Sequence, residues 1–171
     1  MSCMLYLVRH GIAQDASPGM ADTDRALTAE GTRKTARIGA GLRRLGVVPD
    51  IMLASPLRRA EETASVLASV LAPDRPVEIY PQLAPGHPAA EVVRGLQGYR
   101  RARTLILVGH QPDMGELASF LLTGSTGLAA LPFKKGGTAA IRVGALSLHP
   151  SGVLEWYLTP RQLRLIGRSR R

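Results

Sequence analysis

Residues 104–122, TLILVGHQPDMGELASFLL, decide the fold. Thr104–Val108 is a short apolar run, the pattern of a strand buried on both faces of a sheet. From Met114 the period changes: Met114, Leu117, Ala118, Leu121 and Leu122 fall at i, i+3, i+4, i+7 and i+8, which is one face of a helix. Gly109-His110-Gln111-Pro112 lies between the two. A buried strand feeding directly into an amphipathic helix is the repeating unit of an α/β domain.

The same alternation extends in both directions. Met4–Val8 (MLYLV) reads as a buried strand ended by Arg9-His10-Gly11, and Asp15–Asp24 as a polar loop. Thr28 is a candidate N-cap for a helix with Ile38, Leu42 and Leu45 on one stripe and Arg33, Lys34, Arg37, Arg43 and Arg44 on other faces; Gly46 and Pro49 close it. Ile51–Ala54 is a second buried strand running through Ser55-Pro56 into a helix marked by Ala60, Ala64, Leu67 and Leu71, until Pro73 and Pro76 stop it. Val77–Tyr80 is predicted as a further strand, residues 81–88 as a proline-rich loop and Ala89–Leu96 as a short helix. Thr138–Val143 and Val153–Leu158 are two more strands, joined by a short Pro-Ser-Gly connection that suits an antiparallel pair. The expectation is a single three-layer α/β/α domain over residues 1–160 with a mostly parallel mixed sheet, followed by a basic C-terminal tail, residues 161–171.

Composition narrows the function classes. The 171 residues carry 22 Lys+Arg against 13 Asp+Glu, +9 at neutral pH, which invites a nucleic-acid reading. Position argues against it. Arg161, Arg164, Arg168, Arg170 and Arg171 lie in the last eleven residues, where there is no acid; without them residues 1–160 hold 17 basic and 13 acidic side chains, +4. The 7 aromatic residues are not interleaved with a basic run, as a base-stacking surface would need. Cys3 alone cannot form an intramolecular disulfide and fits inert packing in a reducing compartment. No apolar stretch is long enough to span a bilayer and no signal-peptide pattern opens the chain, so a cytoplasmic protein without a membrane partner is expected.

In open α/β sheets ligands bind beyond the carboxyl ends of the strands. Three strand ends stand out there: Arg9-His10-Gly11, Ser55-Pro56-Leu57-Arg58-Arg59 and Gly109-His110-Gln111-Pro112. Two histidines and two arginine-bearing ends on one rim suit a phosphoryl group, since guanidinium forks bind its oxygens and imidazole can act as nucleophile or donor. Arg58 shares a helix face with Glu61 and Glu62 and is read as a surface ion-pair partner; Arg59, in line with Thr63, Val66 and Val70, is read as the inward arginine. Ser55 is read as a hydrogen-bonding loop residue, and His87 and His149, each before a proline, as surface residues. No His-x-His, His-Glu-x-x-His or adjacent carboxylate pair points to a metal.

Leu7-Val8-Arg9-His10-Gly11, Ser55-Pro56-x-x-Arg59-Ala60-x-x-Thr63-Ala64 and Val108-Gly109-His110-x-Pro112, in that order, resemble the histidine phosphatase superfamily, also called phosphoglycerate-mutase-like. The short length, Leu27-Thr28-x-x-Gly31 and the Lys134-Lys135-Gly136-Gly137 turn look most like its SixA-type phosphohistidine phosphatases. The resemblance covers residues 4 to about 158. It implies a cofactor-free and metal-free phosphatase in which His10 attacks phosphorus and is transiently phosphorylated. Arg9, Arg59 and His110 would bind the phosphoryl oxygens, with Gly11 and Ser55 lining the same substrate site.

One position departs from the family pattern. Where many relatives have Glu in a Pro-Glu-Leu segment, this chain has Pro81-Gln82-Leu83. A carboxylic acid there would protonate an alkoxide leaving group, which Gln cannot do. Glu78, Glu91, Asp15 or Asp113 could replace it, none favoured by spacing, or the substrate has a leaving group needing little help. Phosphohistidine, which expels imidazole from a P–N bond, is such a substrate. The expected partner is therefore a phosphohistidine-containing protein, a phosphorelay or phosphotransfer component. Two readings compete with it: a broad small-molecule phosphomonoesterase, and a non-catalytic basic module contacting nucleic acid or acidic protein.

Overall fold

The computed structural model describes residues 2–73, 76–144, 146 and 152–168. Among these, six strands form one sheet: β1 (Cys3–Arg9), β2 (Ile51–Ala54), β3 (Glu78–Ile79), β4 (Thr104–Gly109), β5 (Thr138–Val143) and β6 (Val153–Leu158), in the spatial order β3-β2-β4-β1-β5-β6. The pairs β3–β2, β2–β4 and β4–β1 are parallel, while β5 runs antiparallel to β1 and β6 antiparallel to β5. The mixed sheet and its antiparallel final pair are as the sequence implies.

Among the described residues five α-helices cover the sheet: α1 (Ala29–Arg44), α2 (Arg58–Leu71), α3 (Ala89–Leu96), α4 (Asp113–Thr123) and α5 (Pro160–Ile166). Alternation along the strands divides the core between the two faces. Leu5, Leu7, Leu105 and Leu107 pack with Val92, Val93 and Leu96 of α3 and with Met114, Leu117 and Leu121 of α4. Val8, Met52, Ile106 and Val108 pack on the other face with Ile38 and Leu42 of α1, Ala60, Ala64 and Leu67 of α2, and Leu163 of α5. Both faces of the central strands are covered, which is why those strands read as continuous apolar runs.

The helix ends follow local chemistry. Thr28 caps α1, its Oγ1 accepting a hydrogen bond from Gly31 N–H at 2.9 Å. The chain leaves α1 through Gly46 and α4 through Gly124, both at positive φ. Two expectations need correction. The strand predicted over Val77–Tyr80 is only two residues long; it is an edge strand paired to β2 alone, and Pro76 and Pro81, which cannot donate to a ladder, bracket it.

The stretch expected to be a basic tail is helical over most of its length. Residues 160–166 are the helix α5, closed at its start by a capping box between Thr159 and Gln162, and its Leu163 is fully buried. The close approach of α5 to α1 depends on Gly41, where a Cβ would stand 2.2 Å from the Leu163 carbonyl oxygen. The folded unit thus continues past residue 160. Arg170, Arg171 and His149 lie outside the described residues.

Candidate active site

Parallel pairing of β1 and β4 brings the two histidines together. Arg9 and Gly109 are the last partners in register, so the next residues, His10 and His110, emerge side by side. A hydrogen bond from His10 N–H to the Gly109 carbonyl at 2.9 Å extends the ladder one step, and the ring centroids stand 5.1 Å apart at 52°. β2 contributes the third strand end in the same way: Ser55 N–H donates to the Val108 carbonyl at 2.9 Å, and Ser55 Oγ and His110 Nε2 share a hydrogen bond of 2.7 Å.

The sequence separates Arg58 from Arg59, and the structure agrees. Arg58 Nε donates to Glu62 Oε1 at 2.8 Å on the surface, whereas Arg59 is buried. Thr63 joins two parts of the site, accepting from Gly11 N–H at 3.0 Å and donating to the Arg59 carbonyl at 2.6 Å. Gly11 has no room for a side chain, since a Cβ would stand 2.6 Å from Thr35 Oγ1. Arg9 is oriented by the segment before β5, its Nη1 donating to the Phe133 carbonyl at 2.7 Å. The Lys134–Gly137 turn closes on the same strand end, with Gly136 N–H donating to the Arg9 carbonyl at 3.0 Å.

Arg9, His10, Arg59 and His110 form the floor of a cleft of about 470 Å³; Asp22, Arg25, Pro85, Gly86, Gln111, Pro112, Asp113 and Lys135 complete its walls. Both imidazoles are held neutral. Burial, then the nearby Arg59, Arg9 and Lys135, lowers the pKa of His10 to about 4 against the opposing pull of its bond to Gly11. Burial, then His10 and Arg59, lowers that of His110 to about 3, with Asp22 acting the other way. The tautomer of His10 follows from its partner. Nδ1 lies 2.8 Å from the Gly11 carbonyl oxygen, which can only accept, so Nδ1 carries the proton and the Nε2 lone pair is free. A neutral imidazole with one free nitrogen, beside two guanidinium groups, can take a phosphoryl group from an anionic substrate.

Of the candidate site residues, Arg9, His10, Arg59 and His110 line the cleft together, whereas Gly11 and Ser55 stand behind the lining side chains instead of facing it. His87 is exposed, 3.5 Å from Glu91. Of the four acids considered as substitutes at the Gln82 position, only Asp113 lines the cleft, where its Oδ2 accepts from Gly86 N–H at 3.2 Å.

Sequence reasoning missed Asp22 and Arg25. Arg59 donates through Nη1 to the Asp22 carbonyl at 2.7 Å and through Nη2 to Asp22 Oδ2 at 2.9 Å, and Arg25 Nη1 donates to Asp22 Oδ1 at 2.9 Å. These hydrogen bonds, from Arg25 first and then Arg59, hold the Asp22 carboxyl below its ordinary range. The only local signal was an Asp-x-x-Arg spacing in a polar loop; the path of that loop onto α2 is set by long-range contacts, among them Leu27 N–H donating to Glu62 Oε2 at 2.6 Å.

Residues 5–85 match the family described as the histidine phosphatase superfamily, branch 1. The chain is 36% identical over 163 residues to an uncharacterized protein of Picosynechococcus sp., covering 93% of this chain and 98% of that one. It is 26% identical over 163 residues to the phosphohistidine phosphatase SixA of Escherichia coli, covering 94% and 96%. Its fold is similar to that of a protein histidine phosphatase SixA solved with tungstate, with a TM-score of 0.81 at 24% identity over 94% of this chain and 99% of that one.

Proposed function

The chain belongs to the histidine phosphatase superfamily and is a phosphatase with a SixA-like fold; from that premise we propose that its substrate is phosphohistidine on another protein, a phosphorelay or phosphotransfer component, and that it works in the cytoplasm. The observation that carries the reading is the tautomer of His10. With Nδ1–H fixed on the Gly11 carbonyl, Nε2 is an unprotonated nucleophile at the cleft floor.

His10 Nε2 attacks phosphorus, forming a new P–N bond as the substrate P–N bond breaks and its electron pair leaves with the imidazole. Arg9 and Arg59 hold the non-bridging oxygens, and His110 binds beside them; these donors are fixed before the reaction, so little reorganisation accompanies the charge shift. Water then attacks the phosphorus of phospho-His10, releasing phosphate and regenerating Nε2. An imidazole leaving group fits a cleft from which the Gln82 position is absent and where Asp113 already accepts a hydrogen bond.

Asp113 within the cleft is also the feature that favours a second reading, hydrolysis of small phosphomonoesters with that carboxyl as acid. One comparison decides between the two. A phosphohistidine protein should be turned over far faster than alkyl phosphates, with an acid-labile phosphoenzyme trapped in the native protein and absent from His10→Ala. Efficient hydrolysis of alkyl phosphates would favour the second reading, and undiminished hydrolysis by His10→Ala would remove both.

A further inference from the structure

We propose that Asp22 selects imidazole as the leaving group, its carboxylate accepting a hydrogen bond from the protonated far ring nitrogen of a phosphohistidine held over His10. The proposal rests on the phosphohistidine reading and names the residue that makes the cleft suited to that substrate.

The cleft is graded in depth. His10, Arg59 and His110 on the floor are 6%, 6% and 4% exposed, whereas the Asp22 side chain in the wall is 60% exposed. The phosphoryl group belongs on the cationic floor, so the rest of the substrate, its leaving group included, extends toward the rim where Asp22 stands. Arg25 and Arg59 grip Asp22 from two sides, one hydrogen bond to each carboxylate oxygen. A carboxylate offers about four acceptor sites, so capacity remains on both oxygens. Clamped by two guanidinium groups, the carboxyl stays ionised. It is therefore an acceptor and cannot serve as the acid missing at Gln82.

An acceptor is what imidazole needs. When the far ring nitrogen of phosphohistidine carries a proton, breaking the P–N bond returns the electron pair to the ring and releases neutral imidazole, with no proton delivered to the departing nitrogen. Without that proton the leaving group is an imidazolate anion. A carboxylate at the far nitrogen favours the protonated form by a charge-assisted hydrogen bond. A phosphomonoester has no such donor, and its departing alkoxide would be repelled by the same charge. The other charged groups of the cleft, Arg9, Lys135 and Asp113, do not contact Asp22 in this way, and Asp113 directs Oδ2 to Gly86 N–H.

The test compares kcat/KM for a peptide chemically phosphorylated on histidine with that for p-nitrophenyl phosphate, whose leaving group needs no proton. Asp22→Asn should lower the ratio of the two about tenfold or more at pH 8, the effect of losing one charge-assisted hydrogen bond. The drop should shrink toward pH 6, where solvent protonates the ring unaided, and Asp22→Glu should recover part of it. An equal fall on both substrates would mean that Asp22 only positions Arg59 and would overturn the proposal, as would an unchanged ratio. A native protein that cleaves p-nitrophenyl phosphate but not the phosphohistidine peptide would instead overturn the substrate reading itself.

Discussion

His10 and His110 are buried as neutral rings, and that choice has a measurable consequence for the stability of the fold. A histidine whose pKa is depressed on folding binds fewer protons in the native than in the unfolded state between the two values, so stability rises with pH across that interval. The contribution is intact above the unfolded pKa of about 6.5 and is lost as pH falls toward about 4 for His10 and about 3 for His110. Between pH 6.5 and 5, above the carboxylate range, each ring should withdraw about 2 kcal/mol, at about 1.4 kcal/mol per pKa unit. Urea unfolding at pH 7 and pH 5 measures it: His110→Gln, which has no proton to gain, should lose about 2 kcal/mol less on acidification than the native protein. Equal losses would mean that the ring does not remain neutral at the cleft floor. The same burial that makes the fold acid-sensitive leaves Nε2 of His10 unprotonated well below pH 6.5, as the proposed nucleophilic role requires.

At the level of elements, α5 is where charge misleads. Its sequence, PRQLRLI, presents two arginines and one fully buried leucine, so a reading by charge sees a solvated tail although Leu163 fills the space between α1 and the sheet. Leu163→Ala should cost about 2–5 kcal/mol in urea unfolding, the range for a buried leucine that leaves a cavity, whereas Arg161→Ala on the exposed side should stay within about 0.5 kcal/mol. A small effect of Leu163→Ala would restore the tail reading. The other elements were legible because each has its own local signal. Apolar runs mark β1, β2 and β4, which are covered on both faces, a helical stripe marks α4, and the Thr28 cap marks α1. The histidine pair of the cleft was legible because it directly follows two such runs. Asp22 was not, because its place depends on how the loop after β1 folds back onto α2, through Arg59 and Glu62, and these contacts span more than thirty residues. The α5 signal, a Thr159-x-x-Gln162 capping box, was present but had only one turn of apolar support.

For the whole molecule, the question is whether the +9 charge and the phosphatase chemistry are one property or two. They occupy different parts of the fold. α1 exposes Arg33, Arg37, Arg43 and Arg44, and α5 adds Arg161 and the half-buried Arg164; the one acid of these two helices is Glu30, already paired with Lys34 at the surface. The cleft draws its cations from the end of β1, the loop before α1, the start of α2 and the turn before β5. Deleting residues 161–171 cannot separate the two properties, because it removes Leu163 from the core along with the charge. Reversing charge does separate them. A variant with Arg161→Glu, Arg164→Glu and Arg168→Glu keeps Leu163 in place and, on the proposed mechanism, should form the His10 phosphoenzyme from a small phosphoramidate to the same extent as the native protein. Any association with DNA should lose roughly one unit of salt slope for each phosphate-contacting arginine removed. If the variant instead fails to form the phosphoenzyme while its melting transition is unchanged, the arginines of α5 act on the cleft itself, and surface charge and chemistry are a single device.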